Sequence, residues 1–321
     1  MKYYIGIDLG GTFVKAGVVD ENYNIIAKAS VDSADVSGQP EKVADRMAEC
    51  AKAALEKANL TMDDVENIGI GAPGSVDPDT GMIIYANNLN FLNTPMRAYL
   101  EARTGKKIYL ENDANVAAYG EVLAGAAKGY NDAIVITLGT GVGGGIIIDG
   151  KIYSGFNHFG GELGHSVIVK DGWQCTCGRK GCLEAYASAT GLIKMTQEAM
   201  KADKDSKMWE IAGSLEQVNG KTAFDAMRMD DASGKAVVDN YVAYLGCGLS
   251  NYVNIFQPEV LLIGGGISKE GETLLAPLRE ILEKETYGIS GVKSTTLKTC
   301  ALGNDAGTIG AAFLWKIYGE N

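Results

Sequence analysis

Residues 5–12 read IGIDLGGT and residues 134–141 read IVITLGTG. Each is an apolar run that stops at a turn made of glycine and threonine, which is how a buried strand ends in a tight loop. The segments after the two turns are alike. Residues 3–9, 13–19 (FVKAGVV) and 24–31 (NIIAKASV) predict a three-stranded meander. In the second half, 132–138, 146–149 and the KIYSG after Asp149-Gly150 predict another, with GTGVGGG at 139–145 as its loop. Both openings lead into alternating helices and strands. Pro40 opens a helix with apolar residues at 43, 47, 50, 51, 54, 55 and 58, and NIGIGA (67–72) and KIYL (107–110) read as short buried strands. A helix comes after Asp113, another covers 236–255, VLLI (260–263) is a strand, and 305–318 is a closing helix. This internal repeat predicts an α/β protein of two similar domains facing each other across a cleft. The expected division is a smaller domain, 1–115 with the returning C-terminal segment 305–321, and a larger one, 116–304.

The chain has 321 residues and ample apolar content for two cores, 46% hydrophobic against 21% charged. Its formal charge of −11 repels phosphodiester backbones and acidic bilayers, so nucleic acid and membrane surfaces are poor partners. The start, MKYYIGIDLGG, lacks the shape of a signal peptide, and the uncharged stretch 133–148 is broken by glycines. A cytoplasmic protein with reduced thiols is expected. Glycine stands out, 42 residues or about 13%, roughly twice the usual share. The clusters at the ends of apolar runs read as tight loops.

Residues 139–144, GTGVGG, match the dinucleotide pattern G-x-G-x-x-G in letters only. That motif must open a helix, whereas Ile146–Ile148 followed by Asp-Gly predicts a strand and hairpin. There is no G-x-x-x-x-G-K-[ST]. What remains is a pair of turns, 9–12 and 138–141, that carry threonine hydroxyls and little side-chain bulk, with a third glycine run at 264–266. Such turns can bring backbone N–H groups against phosphate oxygens.

Between His165 and Glu184 the chain reads HSVIVKDGWQCTCGRKGCLE. His165, Cys175, Cys177 and Cys182 supply Cys₃His, the donor set of a closed, structural Zn²⁺ site. Cys175 and Cys177 are too close in sequence for an unstrained disulfide, and Gly178 and Gly181 allow the sharp turns that return Cys182 to its partners. Lys170, Asp171, Arg179 and Lys180 mark a surface loop, and a metal would fix Glu162 and Glu184 on either side of it. Cys50, Cys247 and Cys300 read as small core residues. Asp113, between a strand and a helix, has two readings: an N-cap, or a functional carboxylate at the carboxyl end of a strand, where α/β ligands sit.

DLGGT (8–12), ENDAN (111–115), LGTGVGGG (138–145), GELGH (161–165), CTCGRKGCLE (175–184) and GNDAGTIGAA (303–312) together resemble the ROK family. That family comprises sugar kinases and related sugar-sensing repressors, and the motifs span nearly the whole chain. The resemblance implies two actin-like, ribonuclease-H-like ATPase domains. It implies that Gly10, Gly11, Thr12, Thr140, Gly141, Gly265 and Gly266 line an ATP site and that Asp8 contacts Mg²⁺. Asp113 matches the general base, while Asn88, Asn112, Asp113, Glu162, His165 and Glu184 match residues that hold the sugar. Imidazole has two nitrogens, so His165 can serve zinc and sugar at once. The implied reaction is ATP- and Mg²⁺-dependent phosphorylation of a hexose 6-hydroxyl, with glucose first and N-acetylmannosamine, N-acetylglucosamine, fructose or mannose as alternatives. A homodimer or homotetramer is expected. A repressor of this family carries a helix-turn-helix ahead of DLGGT, and a sensor without turnover fits poorly with intact Asp8, Asp113 and glycine loops. Two departures fall on the expected sugar side: Phe91 stands where the family commonly has tryptophan, and Ser75 where its glucokinases commonly have proline.

Overall fold

A computed structural model describes residues 1–288 and 292–319; residues 320 and 321 of the expected smaller domain lie outside it. The strands are β1 (Tyr3–Leu9), β2 (Phe13–Asp20), β3 (Ile25–Asp32), β4 (Val65–Ala72), β5 (Ser75–Asp77), β6 (Met82–Ala86), β7 (Phe91–Thr94), β8 (Ile108–Asn112), β9 (Ala133–Leu138), β10 (Val142–Ile148), β11 (Lys151–Ile152), β12 (Val260–Gly265) and β13 (Thr296–Thr299). One five-stranded sheet runs β3-β2-β1-β4-β8 and another β11-β10-β9-β12-β13. Both have the order 3-2-1-4-5 in their own numbering, so the repeat between IGIDLGGT and IVITLGTG is a repeat of topology. In the first sheet β1, β2 and β3 pair antiparallel, and β1, β4 and β8 pair parallel.

The helices are α1 (Pro40–Lys57), α2 (Met96–Thr104), α3 (Asp113–Ala124), α4 (Leu183–Ala187), α5 (Ala189–Ala202), α6 (Met208–Ala212), α7 (Thr222–Arg228), α8 (Ala232–Phe256), α9 (Glu272–Glu285), α10 (Ala306–Ala312) and α11 (Trp315–Tyr318). Among the described residues, no helix is long and apolar enough to cross a membrane. The chain separates into two compact units. The first takes Met1–Ile134, Gly145–Gly161 and the C-terminal segment from Cys300; the second takes Val135–Gly144 and Glu162–Thr299. The division expected at residue 115 differs from this one because α3 packs against α10 and β4 of the first unit.

In the first unit, α1 buries Val43, Met47, Cys50, Ala51, Ala54 and Leu55 against the sheet, the face its spacing predicts. Cys50 is fully buried and its Sγ reaches Val14 O at 3.4 Å. Several glycines inside strands and helices are packing sites. A Cβ on Gly6 of β1 would stand 1.8 Å from Thr308 O, and one on Gly69 of β4 would stand 1.7 Å from Ala311 O. On the other side of α10, a Cβ on Gly310 would stand 1.9 Å from Val116 O of α3. Helix α10 therefore lies backbone to backbone on its neighbours, and glycine is required for the approach. Gly310→Ala is expected to cost about 3 kcal/mol, because the carbonyl opposite is main chain and cannot move aside. Gly307, in the same helix with open space around it, should gain up to about 1 kcal/mol as alanine. Urea midpoints of the two variants, shifted in opposite directions, test the packing.

Two sequence expectations change. The loop 139–145 is shorter than expected: β10 begins at Val142, so only the turn at Gly139–Gly141 is loop. The closing helix at 305–318 breaks into α10 and α11, since the chain bends at Phe313 and Leu314 to bury both.

Candidate active site

The residues of the first unit come from the ends of β1, β4 and β8. Asp8 is one residue from the end of β1 and faces Lys15 of β2 in register; Lys15 Nζ lies 3.3 Å from Asp8 Oδ2. Gly10 N–H donates to Phe13 O at 3.0 Å, closing the turn that contains Gly11 and Thr12. Asn88 lies beside it: a Cβ on Gly11 would be 3.8 Å from Asn88 Nδ2. The turn and the asparagine thus belong to one patch.

At the end of β8 the N-cap of α3 is Asn112, not Asp113. Asn112 Oδ1 accepts from Ala114 N at 2.9 Å and from Asn115 N at 3.2 Å, and its Nδ2 donates to Gly74 O at 2.9 Å. That leaves Asn112 one N–H to offer a ligand. Asp113 is the first helical residue and exposed, with Oδ1 accepting from Ala114 N at 2.8 Å. Ser75 adjoins Gly74 and so borders Asn112. Phe91 does not face the patch: it is 1% exposed and belongs to the hydrophobic core, so it acts through packing.

In the second unit the turn Gly139–Gly141 comes after β9. It is held from the start of α5, where Ala189 N donates to Gly139 O at 2.8 Å and Thr190 Oγ1 to Thr140 O at 2.8 Å. Gly265 ends β12 at φ +83°, where an added Cβ would be 2.3 Å from Leu138 O; beside Gly266 there is open space. Glu162 is exposed at the head of a 3₁₀ turn, Leu163–His165. Tyr252 of α8 pins that turn through its hydroxyl, which contacts Ser166 Oγ at 2.6 Å and Leu163 O.

His165, Cys175, Cys177 and Cys182 converge, with one ligand atom of each within 4.8 Å of the others. Cys177 Sγ and Cys182 Sγ are 3.7 Å apart, and Cys175 Sγ is 3.6 Å from His165 Nδ1. Tetrahedral zinc with ordinary bond lengths has S–S edges of about 3.8 Å and S–N edges of about 3.6 Å. The donor set fits zinc in separation as well as in kind. Burial and the neighbouring sulfurs push the Cys182 thiol up to about 12, the penalty that a divalent cation among them would remove. Gly178 and Gly181 have φ of +88° and +81°, the sharp turns expected of them. Nδ1 faces the sulfurs, so Nε2 is the nitrogen left for another partner.

Glu184 is more engaged than the sequence indicates. Its Oε2 accepts from Val142 N at 3.0 Å and its Oε1 from Thr176 Oγ1 at 2.8 Å. It links the Gly141 turn to the cysteine loop, and a Cβ on Gly141 would be 2.4 Å from its Oε2. Thr176, Tyr252 and Lys15 were not singled out from sequence. Only Lys15 had a readable signal, since a hairpin turn over 10–13 sets residues 8 and 15 opposite each other.

Two sheets of one topology, each with a glycine–threonine turn after its first strand, define the two-domain actin-like, ribonuclease-H-like class. Within that class, a model of the ROK family matches residues 4–317, and the chain belongs to that family. It is 39% identical to a glucokinase of Thermotoga maritima over 97% of this chain and 96% of that one. It is 37% identical to a glucokinase of Halalkalibacterium halodurans, covering 98% and 95%. Among solved structures, a ROK family glucokinase from Streptomyces griseus in complex with glucose and AMPPNP matches with a TM-score of 0.79 and 35% identity, covering 97% of this chain and 98% of that one.

Proposed function

We propose that the protein is an ATP- and Mg²⁺-dependent hexose kinase that phosphorylates the 6-hydroxyl of glucose. The observation that carries this is Asp113, an exposed carboxylate whose helix is capped by its neighbour, in a chain similar over its full length to glucokinases. Asn88, Asn112, Glu162, His165 and Glu184 hold the sugar hydroxyls, and Asp113 orients the hydroxyl that reacts. As that oxygen attacks the γ-phosphorus, the bond to ADP breaks and the proton passes to Asp113. The N–H groups around Gly10, Gly11, Thr12, Thr140 and Gly141, with Gly265 and Gly266, receive the nucleotide and stabilise charge on its phosphoryl oxygens. Mg²⁺, when bound near Asp8, supplies further neutralisation of that charge. Zinc, held by His165, Cys175, Cys177 and Cys182, supplies rigidity to the loop that carries the sugar-binding groups.

The protein acts as a homodimer or homotetramer, and the apolar Leu92 and Tyr85, opposite each other on β7 and β6 and both exposed, are surface that assembly would cover. Sedimentation at micromolar concentration reads this directly; a monomer throughout would refute it. ADP release across glucose, mannose, fructose, N-acetylglucosamine and N-acetylmannosamine tests the activity. Glucose is expected to give the highest kcat/KM by at least about tenfold, because a site that hydrogen-bonds each hydroxyl rejects analogues that leave its groups unpaired. Turnover confined to an acetylated sugar would move the substrate. Silence across the panel would end the kinase reading.

A further inference from the structure

Glu111 opens the ENDAN motif, and no part of the chemistry above uses it. It is nonetheless a carboxylate only 1% exposed, on β8 two residues before Asp113. Its Oε1 accepts from Asn112 N at 2.7 Å and from Asn115 Nδ2 at 3.1 Å. Its Oε2 accepts from the Tyr318 hydroxyl, which arrives on α11, 207 residues along the chain. Burial and the charge of Glu111 push the Tyr318 phenol well above its usual range, so Tyr318 remains a donor at every pH the enzyme meets. One buried carboxylate therefore grips the residue before Asp113 by its backbone N–H and the second residue after it by its side chain. The tyrosine fixes that carboxylate in turn.

We propose that Glu111 and Tyr318 are positioning residues that aim the Asp113 carboxylate at the reacting hydroxyl. This rests on Asp113 being the base. A base must meet its proton at hydrogen-bond distance, and a misplacement of about 1 Å can cost on the order of 100-fold in rate. Without its tyrosine donor, the buried Glu111 oxygen loses its partner and the Asn112–Asp113 turn its fixed reference. Of the sugar-holding residues only Asn112 shares this turn, and its side chain stays tied to Gly74, Ala114 and Asn115, so the effect falls mainly on kcat.

The experiment is steady-state kinetics of the full-length, zinc-loaded protein carrying Tyr318→Phe, Glu111→Ala or Glu111→Gln, with thermal melts alongside. Tyr318→Phe is expected to lower kcat about 10- to 30-fold with both KM values within about twofold, and Glu111→Ala about 100-fold. Glu111→Gln keeps an acceptor for Asn112 and can pair its amide with the tyrosine oxygen, so it should recover kcat to within about fivefold. A purely structural role would lower the melting temperature and leave kcat of the folded enzyme alone, which would overturn the proposal. The same three substitutions on an Asp113→Asn background separate the two ideas. If the pair acts through Asp113, their penalties vanish there; additive penalties overturn positioning while leaving the base intact. If Asp113→Asn alone keeps near-normal kcat, the base reading fails first.

Discussion

Asp113→Asn lowers kcat by about three orders of magnitude, in the middle of the range a general base contributes, while the dissociation constant for the sugar stays within about twofold. Three decades correspond to about 4 kcal/mol of transition-state stabilisation. Position is the reason. Asn112 caps α3, so replacing Asp113 removes no cap, and the Ala114 N–H that Oδ1 accepts can be accepted equally by the asparagine oxygen. Fold and ground-state contacts survive, and only proton acceptance is gone. Calorimetric titration with sugar, paired with single-turnover rates, reads both halves. A variant that keeps a tenth or more of the wild-type kcat would show that another group takes the proton.

The second large effect is loss of the metal. In Cys182→Ser, zinc measured by elemental analysis is expected to fall from about one ion per chain to near zero, because a tetrahedral set with one thiolate missing binds far more weakly. The sugar KM should rise about 100-fold, since His165, Glu162 and Glu184 lose the common anchor of their loop. Cys182 is fully buried and linked by a backbone bridge to Val167, so the loop cannot refill its place. Cys247→Ser, at a half-buried position outside the cluster, is the control and should change neither zinc content nor KM. Full activity in protein stripped of zinc would make the cluster incidental to sugar binding.

The meander of β1–β3, the buried face of α1 and the Cys₃His convergence were legible because each is a local pattern. Alternation, helical spacing and ligand type act over a few residues, and the structure keeps them. The assignment of α3 was not legible, because it depends on the carbonyl of Val116 meeting Gly310 and that of Ala306 meeting Gly120, contacts with no side chain to announce them. Nor was the break at Phe313, where burying two apolar side chains outweighs helix continuity. At the site, the residue types of Asp113 and Asn112 were read together, but which of them caps the helix is a matter of dihedral angles. Glu184 carries a similar lesson: its letter indicates an acid in a loop, while its two oxygens are already committed to Val142 and Thr176.

The glycine contacts of α10 bear on the order in which the chain can be built. A seven-residue helix of sequence AGTIGAA is too short and too rich in glycine to form alone, so it exists only once docked. Its platform includes β1, made some three hundred residues earlier. At about 5–20 residues per second, β1 waits on the order of 15–60 s on the ribosome before its cover is synthesised. Closing so long a loop also makes this docking a late and slow event. Throughout that interval the strip around Gly6 and Gly69 is uncovered backbone and apolar side chain, a surface for chaperones to hold before it is a core.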